Sequence, residues 1–221
     1  MRQARLDTPG ENDNRAYDYS RHKVLEREEY SVIAAWIPPR SRVIDLGCGN
    51  GSLLELLQRT KAIEGFGIER APSGVKICAE KGLKVIQGEI DQPLKAVPDE
   101  AYDYAICNVT MQMVMYPEVL LSEMTRIARF QITSFPNFAN IKNRFDLLMR
   151  GRMPRPMLFG YAWYNTGHIH QFSDKDFLAL IADKGLIVKR AEYLGGFAKL
   201  GLARFVPNLF ATTCIYETRR K

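Results

Sequence analysis

Apolar and polar positions along the chain fall into two alternating periods, one suited to strands and one to helices. From Lys23 to Trp36 the residues Val24, Leu25, Val32, Ile33 and Trp36 interleave with Glu26, Arg27, Glu28 and Glu29, a one-faced helical pattern stopped by Pro38 and Pro39. Arg42–Gly47 then reads as a short β-branched strand, Cys48–Gly51 as a glycine turn, and Ser52 opens a helix carrying Leu53, Leu54, Leu56 and Leu57. The rhythm recurs as a strand over Gly65–Glu69, a helix over Ser73–Lys81 and strands over Leu83–Ile90 and Tyr102–Asn108. A helix over Pro117–Ala128 and a strand over Phe130–Ser134 follow. Strands separated by single helices predict right-handed crossovers and a doubly wound, mainly parallel α/β sheet.

Ser173–Asp176 reads as a helix N-cap, Phe177–Ala182 as its apolar face and Lys184-Gly185 as its stop. Leu186–Tyr193 and Phe210–Glu217 complete a seven-stranded sheet, and the glycine-rich loop between them (Gly195, Gly196, Gly201) predicts an antiparallel edge hairpin. Two stretches break the rhythm. Residues 1–22 are polar, with Tyr17 and Tyr19 as their aromatics, and read as a flexible N-terminal arm ahead of one domain over 23–221. Between about 136 and 172 come Pro136, Pro154 and Pro156 with two clusters. One is basic (Lys142, Arg144, Arg150, Arg152, Arg155) and one aromatic (Phe159, Tyr161, Trp163, Tyr164). An interruption of that length builds a cap or a binding surface.

Composition narrows the classes. The 221 residues are 46% hydrophobic and 25% charged, with a net charge of +6 that permits an anionic ligand or partner without demanding nucleic acid. No run approaches the roughly 18 apolar residues of a membrane helix, and the charged first thirty residues lack the apolar centre of a signal peptide, so the reading is cytoplasmic. Cys48, Cys78, Cys107 and Cys214 form no C-x-x-C pair and read as reduced thiols.

The most specific chemistry lies at the end of the first strand, where Asp45, Gly47, Gly49 and Gly51 surround a tight turn. Glycines there let a ligand lie on exposed amides at a helix N-terminus, in the crevice at the strands' carboxyl ends. The G-x-G-x-G spacing differs from the dinucleotide fingerprint, and an acid this close would repel a pyrophosphate but attract an amino group. A ligand with an ammonium and no phosphates fits better. Glu69 stands about 20 residues beyond the turn, where a carboxylate accepts both hydroxyls of a ribose. Glu89, next to Ile90, ends the third strand and suits an adenine amino group.

With these residues the chain resembles the class I S-adenosylmethionine-dependent methyltransferases, whose first motif matches Val43–Gly51, and within them the MetW family. The stretches Trp36–Leu54, Thr133–Phe138, Gly151–Pro154, Trp163–Thr166 and His168–His170 look like that family in order and spacing, from about Glu28 onward. The resemblance implies a Rossmann-like fold that binds S-adenosylmethionine, with S-adenosylhomocysteine as product. It carries over directly onto Asp45, Gly47, Gly49, Gly51, Glu69 and Glu89 as the residues that hold the cofactor, and Asn50, Ile90 and Asn108, by their places at the turn and the strand ends, are read into the same cofactor site. It further implies a link to methionine biosynthesis, with either a small-molecule methyl acceptor or a homoserine O-acyltransferase as partner. Asn50 departs from the family's usual acid, and residues 1 to about 27 extend beyond its typical start.

Asn108-Val-Thr follows the fourth strand where a methyltransferase of nucleic-acid bases would carry prolines and an aromatic residue, which argues against that substrate. For proton handling the candidates are His168 and His170, two alternate residues of an extended segment, and Tyr17 on the arm. The histidines have neither a third ligand nor an acidic partner in sequence. Met111, Met113, Met115 and Tyr116 could shape a substrate pocket or fill the core.

Overall fold

The computed structural model describes residues 13, 15–20, 26–155, 160–195 and 201–221, and of Leu202 the backbone only. The expectations for Lys23–Leu25, for Pro156 and Phe159, for Gly196 and for most of the 1–22 arm lie outside these residues.

Seven strands form one sheet. They are β1 (Arg42–Leu46), β2 (Glu64–Glu69), β3 (Val85–Gln87), β4 (Tyr102–Asn108), β5 (Ala128–Pro136), β6 (Leu186–Leu194) and β7 (Thr213–Arg220), in the order β3-β2-β1-β4-β5-β7-β6. The first five run parallel, β7 is antiparallel to β5, and β6 is antiparallel to β7 at the edge. The chain leaves β1 toward β2 and returns on its other side at β4, so a crevice opens at the carboxyl ends between them.

Helices cover both faces. On one, α1 (Glu28–Trp36), α2 (Ser52–Lys61) and α3 (Pro72–Glu80) pack Ile33, Leu53, Leu54, Leu57 and Cys78 onto Val43, Ile106, Ile132 and Ile215. On the other, α4 (Pro117–Ile127) and α6 (Asp174–Asp183) pack Leu120, Leu121, Met124, Phe177 and Ile181 onto Ile44, Leu46, Phe135 and Tyr216. The alternation in β1 therefore turns Val43 and Asp45 to the first face and Ile44 and Leu46 to the second. Local chemistry sets the ends: proline opens α3 and α4, and Ser173 with Asp176 makes a reciprocal capping box on α6.

Several elements differ from expectation: β7 runs over Thr213–Arg220 and not from Phe210, which closes a short helix, and α1 begins at Glu28. β3 is shorter than Leu83–Ile90, because it pairs with β2 alone and only over Val85–Gln87. The 136–172 stretch is not irregular throughout: α5 (Ile141–Arg150) begins at Asn140, whose side chain caps Lys142 N. The loop from β6 to β7 contains two short helices, α7 (Leu202–Phe205) and α8 (Pro207–Phe210). Among the described residues no helix is long and apolar enough to cross a membrane.

Candidate functional site

The glycine turn after β1 is shaped by contacts that exclude side chains. Gly47 and Gly49 have φ of +81° and +58°, and the amides of Gly47 and Cys48 both donate to Ile68 O. A Cβ on Gly47 would meet Thr110 Cγ2 at 2.6 Å, and one on Gly49 would meet the Tyr19 hydroxyl at 3.1 Å. From the other side α3 approaches so closely that a Cβ on Gly74 would lie 2.6 Å from Gly49 O. The turn is held between α3, the loop after β4 and the arm.

Glu69 braces it from β2: Oε2 accepts the Gly49 amide at 2.8 Å and Oε1 the Ala71 amide at 2.7 Å. Burial raises its carboxyl above the ordinary range, and these amide bonds pull the other way. Asp45 has no such compensation. It is 2% exposed, its Oδ1 has no hydrogen-bond partner, and burial together with the nearby Glu69 pushes its carboxyl up to about 7.

A cavity of about 780 Å³ opens over the turn. Asp45, Gly47, Cys48, Gly49 and Asn50 form its floor; Glu69, Gly88, Glu89, Ile90 and Asp91 come from the β2 and β3 ends. Asn108, Val109, Thr110 and Met113–Met115 follow β4, and Thr166, Gly167 and Ile169 come from the segment before α6. Leu53 and Arg70–Pro72 add to these, and Arg15, Ala16, Tyr17, Tyr19, Arg27 and Tyr30 form a further wall. The arm is pinned there through Ser73, which accepts the Tyr19 amide at 3.0 Å and donates to Tyr17 O at 3.3 Å, and the rings of Tyr17 and Tyr19 stack at 5.5 Å.

The structure thus brings Asp45, Gly47, Gly49, Asn50, Glu69, Glu89, Ile90, Asn108 and Tyr17 to one cavity. Their local roles differ. Asn50 Oδ1 accepts both the amide and the hydroxyl of Ser52, so it braces the start of α2. Asn108 Oδ1 accepts from Ser134 Oγ at 2.6 Å, and Glu89 lies exposed, 3.4 Å from Arg70 Nε. Gly51 is outside the wall; it is the left-handed N-cap of α2, packed under Leu83 and Cys78. Neither His168 nor His170 lines the cavity, whereas Ile169 between them does, because alternate residues of an extended segment face opposite ways. His168 is buried, and His170 Nε2 lies 3.3 Å from Met115 O. Cys48 reaches the cavity, but Cys107 is buried in the sheet, which pushes its thiol up to about 12.

Arg15, Arg27 and Tyr30 join the wall without any signal in sequence, since each is distant from the turn and in no motif, whereas Thr166 ends the Trp163–Thr166 stretch that resembles the family but carried no site reading. Asp91 carried a weak one, three residues beyond the Gly88 turn; its Oδ2 accepts the Met115 amide at 2.7 Å and so sets the loop after β4 against the β3 end.

A family model described as "Methionine biosynthesis protein MetW" matches residues 27–218. A bifunctional methionine biosynthesis protein MetXA/MetW of Rhodopirellula baltica is 37% identical over 151 residues, 64% of this chain and 24% of that protein. A phosphatidylethanolamine N-methyltransferase of Cereibacter sphaeroides is 29% identical over 117 residues, 51% of this chain and 58% of that one. The chain therefore spans less than two thirds of either relative. Among solved structures, a Thermotoga maritima S-adenosylmethionine-dependent methyltransferase superposes with a TM-score of 0.63 at 18% identity, covering 87% of each chain. Magnesium protoporphyrin IX methyltransferase from Synechocystis, with bound S-adenosylhomocysteine, also gives 0.63, at 19% identity, over 88% of this chain and 83% of that one. The matched span, the turn after β1 and the sheet order agree: the chain belongs to the MetW family, on a class I S-adenosylmethionine-dependent methyltransferase fold.

Proposed function

We propose that the cavity binds S-adenosylmethionine and that the protein transfers its methyl group to a small-molecule acceptor in connection with methionine biosynthesis. The observation that carries this reading is Asp45, a buried carboxylate whose Oδ1 lacks any donor at the floor of a 780 Å³ cavity. An ammonium is the group such an oxygen calls for, and the volume falls within the range of about 300–1,000 Å³ of small-ligand sites. In this reading Gly47 and Gly49 present backbone to the amino-acid portion, Glu69 spends its remaining lone pairs on ribose hydroxyls, and Glu89 with Ile90 borders the adenine. Asn108 edges the reacting centre, and Tyr17 with Tyr19 covers it from the arm.

Held by Asp45, Gly47, Gly49 and Glu69, S-adenosylmethionine would supply an activated methyl to an O, N or C nucleophile that gives up a proton, with S-adenosylhomocysteine as the product. The protein's part is to align acceptor and donor and to exclude water. Tyr17 is the titratable candidate left at the cavity once the histidines lie elsewhere.

Calorimetric titration with S-adenosylmethionine and S-adenosylhomocysteine tests the pocket, and labelled methyl transfer into an extract of the same organism tests turnover. Micromolar binding of both ligands is expected; binding of neither would remove the cavity assignment. A second reading, a non-catalytic S-adenosylmethionine-binding partner of homoserine O-acyltransferase, is favoured by one finding: the Rhodopirellula relative joins MetXA and MetW in one polypeptide. Binding without turnover, and with a change in acyltransferase activity, would select it.

A further inference from the structure

Helix α5 shows its apolar side to water. Phe145, Leu148 and Met149, spaced i, i+3 and i+4, are 62%, 81% and 66% exposed, and Lys142 and Arg144 flank the stripe on either side. On the opposite side Asn143 faces the body, buried and donating to Phe138 O at 3.1 Å, with half-exposed Leu147 one turn further on. Surface helices ordinarily do the reverse, and contiguous exposed apolar residues mark interaction sites. The helix is also fixed before any partner arrives. Asn137 and Asn140 donate to Ala211 O at 3.0 and 2.8 Å, and Arg144 Nε reaches Ala139 O at 2.5 Å, so its base is tied to the chain entering β7. A preorganised helix gives up little entropy on docking.

Charge says what kind of surface it meets. Residues 141–155 carry five cations and one acid, Asp146, which is taken up by Arg150 at 2.7 Å. Two copies of this face would set like charges together, so a second copy of the chain is a poor occupant. A groove with an apolar floor and carboxylates along its rims is complementary at both levels, and three anchors at i, i+3 and i+4 are the pattern read by helix-binding grooves. We propose that α5 is a docking helix that places Phe145, Leu148 and Met149 in an acid-rimmed groove of an acyltransferase. The proposal rests on the partner reading above, for which the fused Rhodopirellula protein gives the physical rationale: one polypeptide holds the two surfaces at high effective concentration.

The test co-expresses the full chain with a homoserine O-acyltransferase from the same organism and measures their affinity by calorimetry, for wild type and for the double variant Leu148→Asp, Met149→Asp. Both side chains are largely exposed, so unfolding is not expected, and S-adenosylmethionine titration of each protein checks the distant cavity. A complex weakened by about tenfold or more in the variant, and by added salt, is expected. Equal binding by both proteins would overturn the docking helix and leave the partner reading standing; no binding by wild type would overturn both. Adsorption to phosphatidylglycerol-containing vesicles that the variant loses, with the acyltransferase bound equally, would overturn the proposal in favour of a membrane surface. Loss of a homodimer in the variant, seen by sedimentation, would overturn it in favour of self-association.

Discussion

At the scale of single residues, Asp45 is where binding and stability meet. A carboxyl held near 7 instead of its ordinary 3.8 is protonated more readily in the folded chain than in the unfolded one. Its contribution to apoprotein stability is therefore present below about pH 4 and is lost as pH rises toward 7, a difference on the order of 4 kcal/mol. An ammonium needs the ionised form, so below pH 7 binding expels a proton. S-adenosylmethionine affinity should rise from about pH 6 to about pH 7.5 and then level, with proton release visible as a dependence of calorimetric heat on the buffer. Asp45→Asn should flatten that profile, weaken binding roughly tenfold to a hundredfold and raise the apoprotein's melting temperature at alkaline pH. A wild-type affinity identical at both pH extremes would take Asp45 out of contact with the ammonium. Asp45 and the glycines were legible in sequence because turn, helix N-terminus and acid lie within seven residues. Tyr30 and Arg27 were not, because only the packing of α1 against the site brings them there.

At the scale of elements, two close approaches make sharp predictions. Gly74 lies inside α3, where exchange for Ala would ordinarily gain about 1 kcal/mol of helix propensity. The added Cβ would instead press on Gly49 O at 2.6 Å, backbone that cannot swing aside, at a cost of about 1–3 kcal/mol. Gly74→Ala should therefore lower the urea midpoint and weaken cofactor binding together; a stabilised variant with intact binding would contradict the packing described. Tyr19, lying on the turn, should slow ligand exchange. In stopped-flow displacement Tyr19→Ala is expected to release S-adenosylmethionine about tenfold faster. Asn137 is fully buried and its amide serves the carbonyls of Pro207, Asn208 and Ala211, so Asn137→Ala should cost about 2–3 kcal/mol in denaturant titrations and loosen the base of α5. The capping box of α6 could be read from Ser173 and Asp176, since capping is local. Helix α5 escaped because its apolar residues face away from the core, so the rule that joins periodicity to burial has nothing to grip.

At the scale of the molecule, the alternation of strands and helices made the parallel half of the sheet legible, whereas the position of β7 between β5 and β6 depends on pairing across the whole chain. Gln131 and Thr218 hydrogen-bond across 87 positions, and the full register joins Gln131–Pro136 to Thr213–Thr218. That arrangement has a consequence for synthesis. The ribosome delivers β1 to β6 in order, yet β6 finds no neighbour and β5 keeps a bare edge until residue 220 has been made. A nascent chain stalled after Ala211 leaves β5 and β6 unpaired and lacks the Tyr216 ring that stacks on Phe135, and it should partition into aggregates on release, scored by pelleting against the 221-residue chain. Until Thr213–Arg220 is delivered the polypeptide is thus a sheet with its keystone missing, and β7 closes the structure from within.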